Sequence, residues 1–362
     1  MEGVGVNPEF WRGRRVLITG HTGFKGSWLS LWLQQMGAEL TGFALPAPTQ
    51  PSLFKVAQVE QGMTSVIGDI RQPAALEAAM QQAAPEVVIH MAAQPLVRRS
   101  YQDPVETYST NVMGTVHLLE AVRRSPSVRA VLNITTDKCY ENREWVWGYR
   151  ENEPMGGHDP YSNSKACAEL VSSAYRSSFF AAESSPHVQL ATARAGNVIG
   201  GGDWAQDRLI PDILAGFSAG QAVMIRRPHA IRPWQHVLEP LRGYLMLAER
   251  LHAGDASFAE GWNFGPLEED TQTVGWITEQ MARRWGSAAQ WTTDTAQHPH
   301  EAHNLRLDIS KARSVLGWHP LMRLDTALTL IVDWSRAHQS GQNMRDLTLA
   351  QIAHYQQLAT HS

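Results

Sequence analysis

The seven residues Gly20-His21-Thr22-Gly23-Phe24-Lys25-Gly26 constrain the fold of this chain more than any other segment. They follow a short apolar run, Val16–Thr19, and lead into an apolar-rich stretch, Ser27–Met36, that reads as a helix. A second strand-like run, Leu40–Leu45, comes next. Strand, glycine turn, helix and strand form the opening βαβ unit of a parallel sheet. Glycine is required where backbone must approach a pyrophosphate closely, and a helix N-terminus supplies unpaired N–H donors to it. The spacing is GxxGxxG, not GxGxxG, and it makes Gly20, Thr22, Gly23, Phe24, Lys25 and Gly26 candidate dinucleotide-binding residues.

The alternation continues well past this unit. Strands are expected at Thr64–Ile67, Glu86–Met91, Ala130–Thr135 and Val188–Arg194, with helices at Pro73–Gln82, Pro104–Arg123 and Pro160–Phe180 between them. Strands that alternate with helices predict an α/β fold, a doubly wound parallel sheet of the Rossmann type covered on both faces. At 362 residues and 43% hydrophobic, the chain has ample material for such a core. Beyond Asn197 glycines and prolines accumulate, with later helices at Val237–Leu251, Thr273–Arg284 and Asp325–Arg336. The expected organisation is a leader at 1–14, a dinucleotide-binding domain at 15–196 with segments returning at about 236–265, and a smaller substrate-binding lobe across most of 197–362.

Composition excludes several partners. The net charge is −4 and no lysine or arginine run marks a nucleic-acid-binding tail. Cys139 and Cys167, the two cysteines, are too few for a disulfide scaffold and lack zinc-site spacing, so no metal and a reducing, cytoplasmic compartment are expected. No run of 18 apolar residues suggests a membrane span.

A carboxylate commonly ends the second strand of such units and grips the adenosine ribose, but Gly42-Phe43-Ala44-Leu45-Pro46 carries none, nor an arginine for a 2′-phosphate. Asp69 and Ile70, just past the third strand, are candidates for holding the adenine; a plain turn-capping role for Asp69 is the alternative. Small residues in Ala92-Ala93-Gln94 would let a cofactor lie across the end of the fourth strand. In Asp159-Pro160-Tyr161-Ser162-Asn163-Ser164-Lys165, an N-cap and a first-turn proline precede Tyr161 and Lys165, spaced i,i+4 on one helix face. A lysine charge and an oxidised nicotinamide nearby would favour the phenolate and make Tyr161 a general base near neutral pH. Thr136-Asp137-Lys138 sits where the fifth strand should run out, adding a hydroxyl, an acid and a basic group that a plain alcohol dehydrogenase does not need.

Taken together, these motifs resemble the extended short-chain dehydrogenases that modify nucleotide sugars. The similarity runs from Gly20–Gly26 through Tyr161–Lys165 to Leu307-Asp308-Ile309-Ser310-Lys311-Ala312 and Leu316-Gly317-Trp318-His319-Pro320. Within that family, Gly20-His21-Thr22-Gly23-Phe24-Lys25-Gly26-Ser27-Trp28-Leu29 is similar to the CDP-glucose 4,6-dehydratase branch, as is Thr-Asp-Lys where dTDP-glucose enzymes carry Thr-Asp-Glu. The resemblance implies NAD as cofactor and conversion of CDP-glucose to its 4-keto-6-deoxy derivative. Tyr161 would take the 4-hydroxyl proton, Asp137 would protonate the departing 6-hydroxyl, and Lys138 would act at C5 or steady the enolate. It also implies that Asn111 orders the site, that Asn197, Arg208 and Arg232 contact the diphosphate, and that the enzyme is a homodimer or homotetramer. A dTDP- or GDP-linked dehydratase, a 4-epimerase and a non-catalytic dinucleotide sensor are the rival readings.

Overall fold

A strand buried on both faces must be apolar or internally hydrogen-bonded along its whole length, and Arg15–Thr19 (β1) is buried at every position after the first. The computed structural model describes residues 5–180, 188–286, 289–294 and 304–360. In it, β1 pairs in parallel with Glu39–Ala44 (β2) on one side and with Val87–His90 (β4) on the other. Thr64–Ile67 (β3), Ala130–Ile134 (β5), Gln189–Arg194 (β6) and Gly261–Asn263 (β7) complete a seven-stranded sheet. The order is β7-β6-β5-β4-β1-β2-β3, with every neighbour parallel. Strand order reverses between β1 and β4, and that is where such sheets open a crevice at their carboxyl ends.

Helices Phe24–Gln35 (α1), Pro73–Ala83 (α2) and Pro160–Phe179 (α4) match the expected positions to within a few residues. The expected helix over Pro104–Arg123 (α3) forms as Pro104–Tyr108 and Gly114–Arg123, joined through a wider turn at Ser109–Met113. Leu238–His252 (α5) returns from the lobe to cover the sheet, with Leu241, Leu245 and Leu251 fully buried. Leu17, Val88, Val131 and Leu190 face the α2–α3 side, whereas Ile18, Ile89, Leu132 and Ala191 face α1 and α5.

The smaller lobe has its own apolar cluster, including Ile210, Phe217, Ile277, Leu328 and Ile331. Short strand pairs stitch it together: Val198–Ile199 with Gln235–His236, Ile231–Pro233 with Thr271–Thr273, and Val223–Ile225 with Trp291–Thr293. Two features were not anticipated. The C-terminal helix Met344–Thr360 leaves this lobe and packs back on α1, with Trp32 and Tyr355 edge to face at 5.8 Å. The leader, described from residue 5 onward, packs against the rest of the fold. Its single-turn helix Pro8–Trp11 buries Trp11 completely, and the indole N–H donates to Glu249 Oε1 at 2.8 Å.

Candidate active site

The glycine turn is built for close approach. Gly20 has φ of +80°, and a methyl there would lie 2.7 Å from the Ala92 backbone nitrogen. A methyl on Gly26 would lie 2.2 Å from the Gly20 carbonyl oxygen, so helix and strand meet with no space between them. α1 starts at Phe24 with no side-chain cap and no acid in its first turn, which leaves its terminal N–H groups to an outside anion. Thr22 does not face that anion with its hydroxyl, which donates to the Leu45 carbonyl at 2.8 Å and ties the turn to the end of β2.

A cleft of about 1130 Å³ opens from this turn along the carboxyl ends of β1, β4 and β5 into the lobe. Gly20, Thr22, Gly23, Phe24, Lys25, Gly26, Asp69, Ile70, Ala92, Ala93, Thr136, Asp137, Lys138, Tyr161, Lys165, Asn197, Arg208 and Arg232 all line it. Gln94 and Asn111 do not. Both are buried behind the wall, where Asn111 Oδ1 accepts from Gln94 N at 2.8 Å and Asn111 Nδ2 donates to Ser164 Oγ at 2.9 Å. Asn111 thus fixes the end of β4 against α4, one residue before Lys165. Asp69 is also engaged, since Arg71 donates to both its oxygens and holds its carboxyl below the ordinary range.

At the centre, α4 presents Tyr161 and Lys165 to the cleft, its first turn capped by Asp159 Oδ1 accepting from Ser162 N at 2.9 Å. Lys165 Nζ donates to the Ile134 carbonyl at 2.9 Å, and burial lowers its pKa to about 8 against an opposing pull from Glu169. Burial pushes Tyr161 up to about 12, although a hydrogen bond with the Thr136 hydroxyl works the other way. The protein alone therefore favours the neutral phenol: removal from water outweighs the Thr136 hydrogen bond and the Arg208 charge. Asp137 is raised too, by burial, with Lys138 and Thr136 opposing. Its Oδ1 accepts from Thr136 Oγ1 at 3.0 Å while its buried Oδ2 has no partner. Lys138 Nζ lies 6.0 Å from the Tyr161 ring centroid. Lys25 reaches the same space, 3.3 Å from the Tyr244 hydroxyl, and burial together with Lys165 and Arg208 lowers it to about 7.

On the lobe side, Arg208 lines the cleft while pairing with Asp203 at 2.9 Å. Arg98 and Arg226, which the sequence reading passed over, line it as well and converge on Asp207 at 3.2 and 3.7 Å. A buried polar network that no sequence motif marked supports the site from beneath. Buried Glu169 accepts from Thr135 Oγ1, from Thr192 Oγ1 at 2.6 Å and from Arg194 at 2.8 and 3.0 Å. Arg194 in turn donates to the Tyr140 hydroxyl at 2.7 Å. The sequence signal was there in Glu169, one turn after Lys165 and facing the sheet. Thr19 Oγ1 accepts from Met91 N and Ala92 N and donates to His90 Nδ1 at 2.7 Å, so the β4 end is pinned to the glycine turn. Among the described residues no cluster of His, Cys, Asp and Glu could hold a metal ion, and no helix is long and apolar enough to cross a membrane.

The chain is similar to known proteins over most of its length. The GDP-mannose 4,6 dehydratase family model matches residues 17–331. A CDP-glucose 4,6-dehydratase of Salmonella typhimurium is 59% identical over 98% of this chain and 99% of its own length. A dTDP-glucose 4,6-dehydratase of Xanthomonas campestris is 26% identical over 90% of this chain and 93% of its own. The fold is shared with the structure of a Streptomyces venezuelae dTDP-glucose 4,6-dehydratase with NAD bound, at a TM-score of 0.77 and 22% identity over 91% of this chain and 98% of that one. It is shared too with a Thermotoga maritima UDP-glucose 4-epimerase, at a TM-score of 0.76 and 21% identity over 90% and 99%. With a family model spanning most of its length and a relative well over half identical end to end, this chain belongs to the nucleotide-sugar 4,6-dehydratase family.

Proposed function

We propose that this chain is a CDP-glucose 4,6-dehydratase, which converts CDP-glucose to CDP-4-keto-6-deoxyglucose and water with a bound NAD. The observation that carries this reading is the convergence of Tyr161, Asp137 and Lys138 on one cleft that begins at a glycine turn. The 59% identity to a CDP-glucose enzyme supports the choice of cytidine over other bases. The glycine turn, the small residues Ala92 and Ala93, and Asp69 with Ile70 would hold NAD. When bound, NAD supplies the two-electron oxidation at C4, the later reduction at C6, and a positive charge that lowers the Tyr161 phenol from its buried value.

The protons then balance. Tyr161, hydrogen-bonded through Thr136, accepts the proton of the 4-hydroxyl as C4 is oxidised. The new ketone acidifies C5–H, and Lys138 receives that proton. Asp137, whose burial favours its protonated form, gives its proton to the 6-hydroxyl, which leaves as water while the C5–C6 double bond forms. After C6 is reduced, Lys138 returns its proton to C5 and the proton held on Tyr161 restores Asp137. The net change is loss of one water. Asn197, Arg208 and Arg232 would meet the diphosphate, with guanidinium groups suited to two-point contact.

The oligomer proposed is a homodimer formed through α3 and α4, where Val105, Met113 and Leu170 stand 76%, 46% and 58% exposed on the surface. A cytoplasmic location fits a chain in which both cysteines are free. The test is product formation from CDP-glucose, dTDP-glucose and GDP-mannose side by side, by mass spectrometry with a trace of NAD. Loss of one water from CDP-glucose is expected. Loss from another substrate would overturn the base assignment, and loss from none would overturn the dehydratase reading.

A further inference from the structure

The geometry points to Gly196 and Gln235 as positioning residues for the dehydration step, which hold the Asp137 carboxyl where it can protonate the leaving hydroxyl. This rests on the assignment of Asp137 as the acid.

The Asp137 carboxyl packs directly against Gly196. A methyl group on residue 196 would sit 1.7 Å from Asp137 Oδ2 and 2.5 Å from Oδ1, so no side chain fits while the carboxyl keeps its place. Of the two carboxyl oxygens, Oδ1 is occupied as acceptor for Thr136 Oγ1, and Oδ2 is buried without a partner. Oδ2 is packed against Gly196 while the residue as a whole lines the cleft, so the place of the carboxyl is set by the backbone beside it.

The Gly196 peptide is itself clamped. Gln235, only 3% exposed, donates Nε2 to the Gly196 carbonyl at 3.3 Å and to the Phe264 carbonyl at 2.8 Å. Two carbonyl acceptors fix the orientation of the amide, because a flipped group would set Oε1 against two other oxygens. The Gln235 backbone N–H also donates to the Asn197 carbonyl at 3.3 Å. One side chain thereby joins the segment that ends β6 to the segment that ends β7, directly behind the acid. A buried glutamine that only filled space would be a poor choice, since its Oε1 is left without a partner. Its donor side is what the site uses.

Proton transfer depends steeply on position, and a misplacement of about 1 Å can cost roughly 100-fold. Gly196→Ala should lower kcat by about that factor, and Gln235→Leu, which keeps the volume and loses both donors, by about 10-fold, with KM unchanged in each. C4 oxidation and C5 proton removal do not use Asp137, so they should run ahead of elimination. The NAD-loaded variants mixed with CDP-glucose should build up the near-ultraviolet absorbance of reduced cofactor, and CDP-glucose recovered from D₂O should carry deuterium at C5. A fall in kcat with neither signal would mean that the two residues serve the fold or the C4 chemistry, and the inference would be overturned. Asp137→Asn separates the two layers of the argument. If it shows both signals and the positioning variants show neither, the positioning role falls alone; if it shows neither, the acid assignment falls with it. Where Gly196→Ala fails to fold, Gln235→Leu is read by the same criteria.

Discussion

Replacing Glu169 by glutamine removes one charge from the base of the active site and little volume. Its carboxylate and the Arg194 guanidinium are each about 5% exposed and 2.8 Å apart, with Thr192 and Thr135 completing the carboxylate's acceptors. Removing one partner of such a pair leaves an uncompensated buried charge, at a cost of about 3–5 kcal/mol. Glutamine keeps one acceptor oxygen and Arg194 keeps Tyr140, so about 3 kcal/mol is expected for Glu169→Gln. The assay is urea unfolding followed by tryptophan fluorescence, supported by a double-mutant cycle with Arg194→Leu. Burial alone would raise the Glu169 carboxyl, but Arg194 and the threonine hydroxyls outweigh it and hold the pKa below its ordinary value of 4.5. Its contribution is therefore complete above that value and is lost as pH falls through the lowered folded value. The wild type should lose stability on acidification below about pH 4.5, and Glu169→Gln should lack that component. The charge of Glu169 also supports the Lys165 ammonium, so the pH at which activity declines on the alkaline side should move down in the variant. A loss below about 1 kcal/mol, or an unchanged acid slope, would refute the reasoning.

Three further outcomes are expected. Glu239, fully buried on α5, accepts from the Tyr355 hydroxyl and from two backbone N–H groups, and burial raises it from 4.5 to about 7. The folded state holds the proton longer than the unfolded one, so stability should fall by about 3 kcal/mol as pH rises from about 4.5 to about 7, and Glu239→Gln should flatten that curve in chemical denaturation. Tyr161→Phe should lower kcat by about 10²–10⁴ while leaving NAD binding intact, as measured by steady-state kinetics and equilibrium dialysis. Gly20→Ala should abolish NAD binding in the same dialysis, because its methyl would strike the Ala92 backbone 2.7 Å away.

The sheet and its helices were legible because periodicity and glycine spacing are local signals that a buried parallel strand cannot avoid giving. The residues that line the cleft were legible for a related reason: a crevice at strand ends collects the residues just past each strand. What escaped was held by long-range contact. Nothing near Trp11 announces Glu249, more than two hundred residues away, and nothing near Gly196 announces Gln235. Gln94 and Asn111 sat at positions that spacing alone could not orient: the Asn111 amide turned inward to the Gln94 backbone, and the Gln94 amide to Thr107 and the Leu96 N–H. The depth at which Tyr161 is buried, which raises its phenol in the protein alone, is likewise a property that sequence spacing does not carry.

The path of the chain between the two lobes has a consequence for protein engineering. After β6 the chain enters the lobe, comes back to lay α5 and β7 on the sheet, leaves again after Asn263, and ends with Met344–Thr360 against α1. The lobe is therefore not a cassette that can be lifted out at one junction. A chimera that swapped everything after residue 197 would import a foreign edge strand and a foreign covering helix along with the new nucleotide site. Exchanging the lobe on this scaffold calls for two grafts made together, one before α5 and one after β7, with Gln235 left native so that the Gly196 and Phe264 carbonyls keep their shared donor.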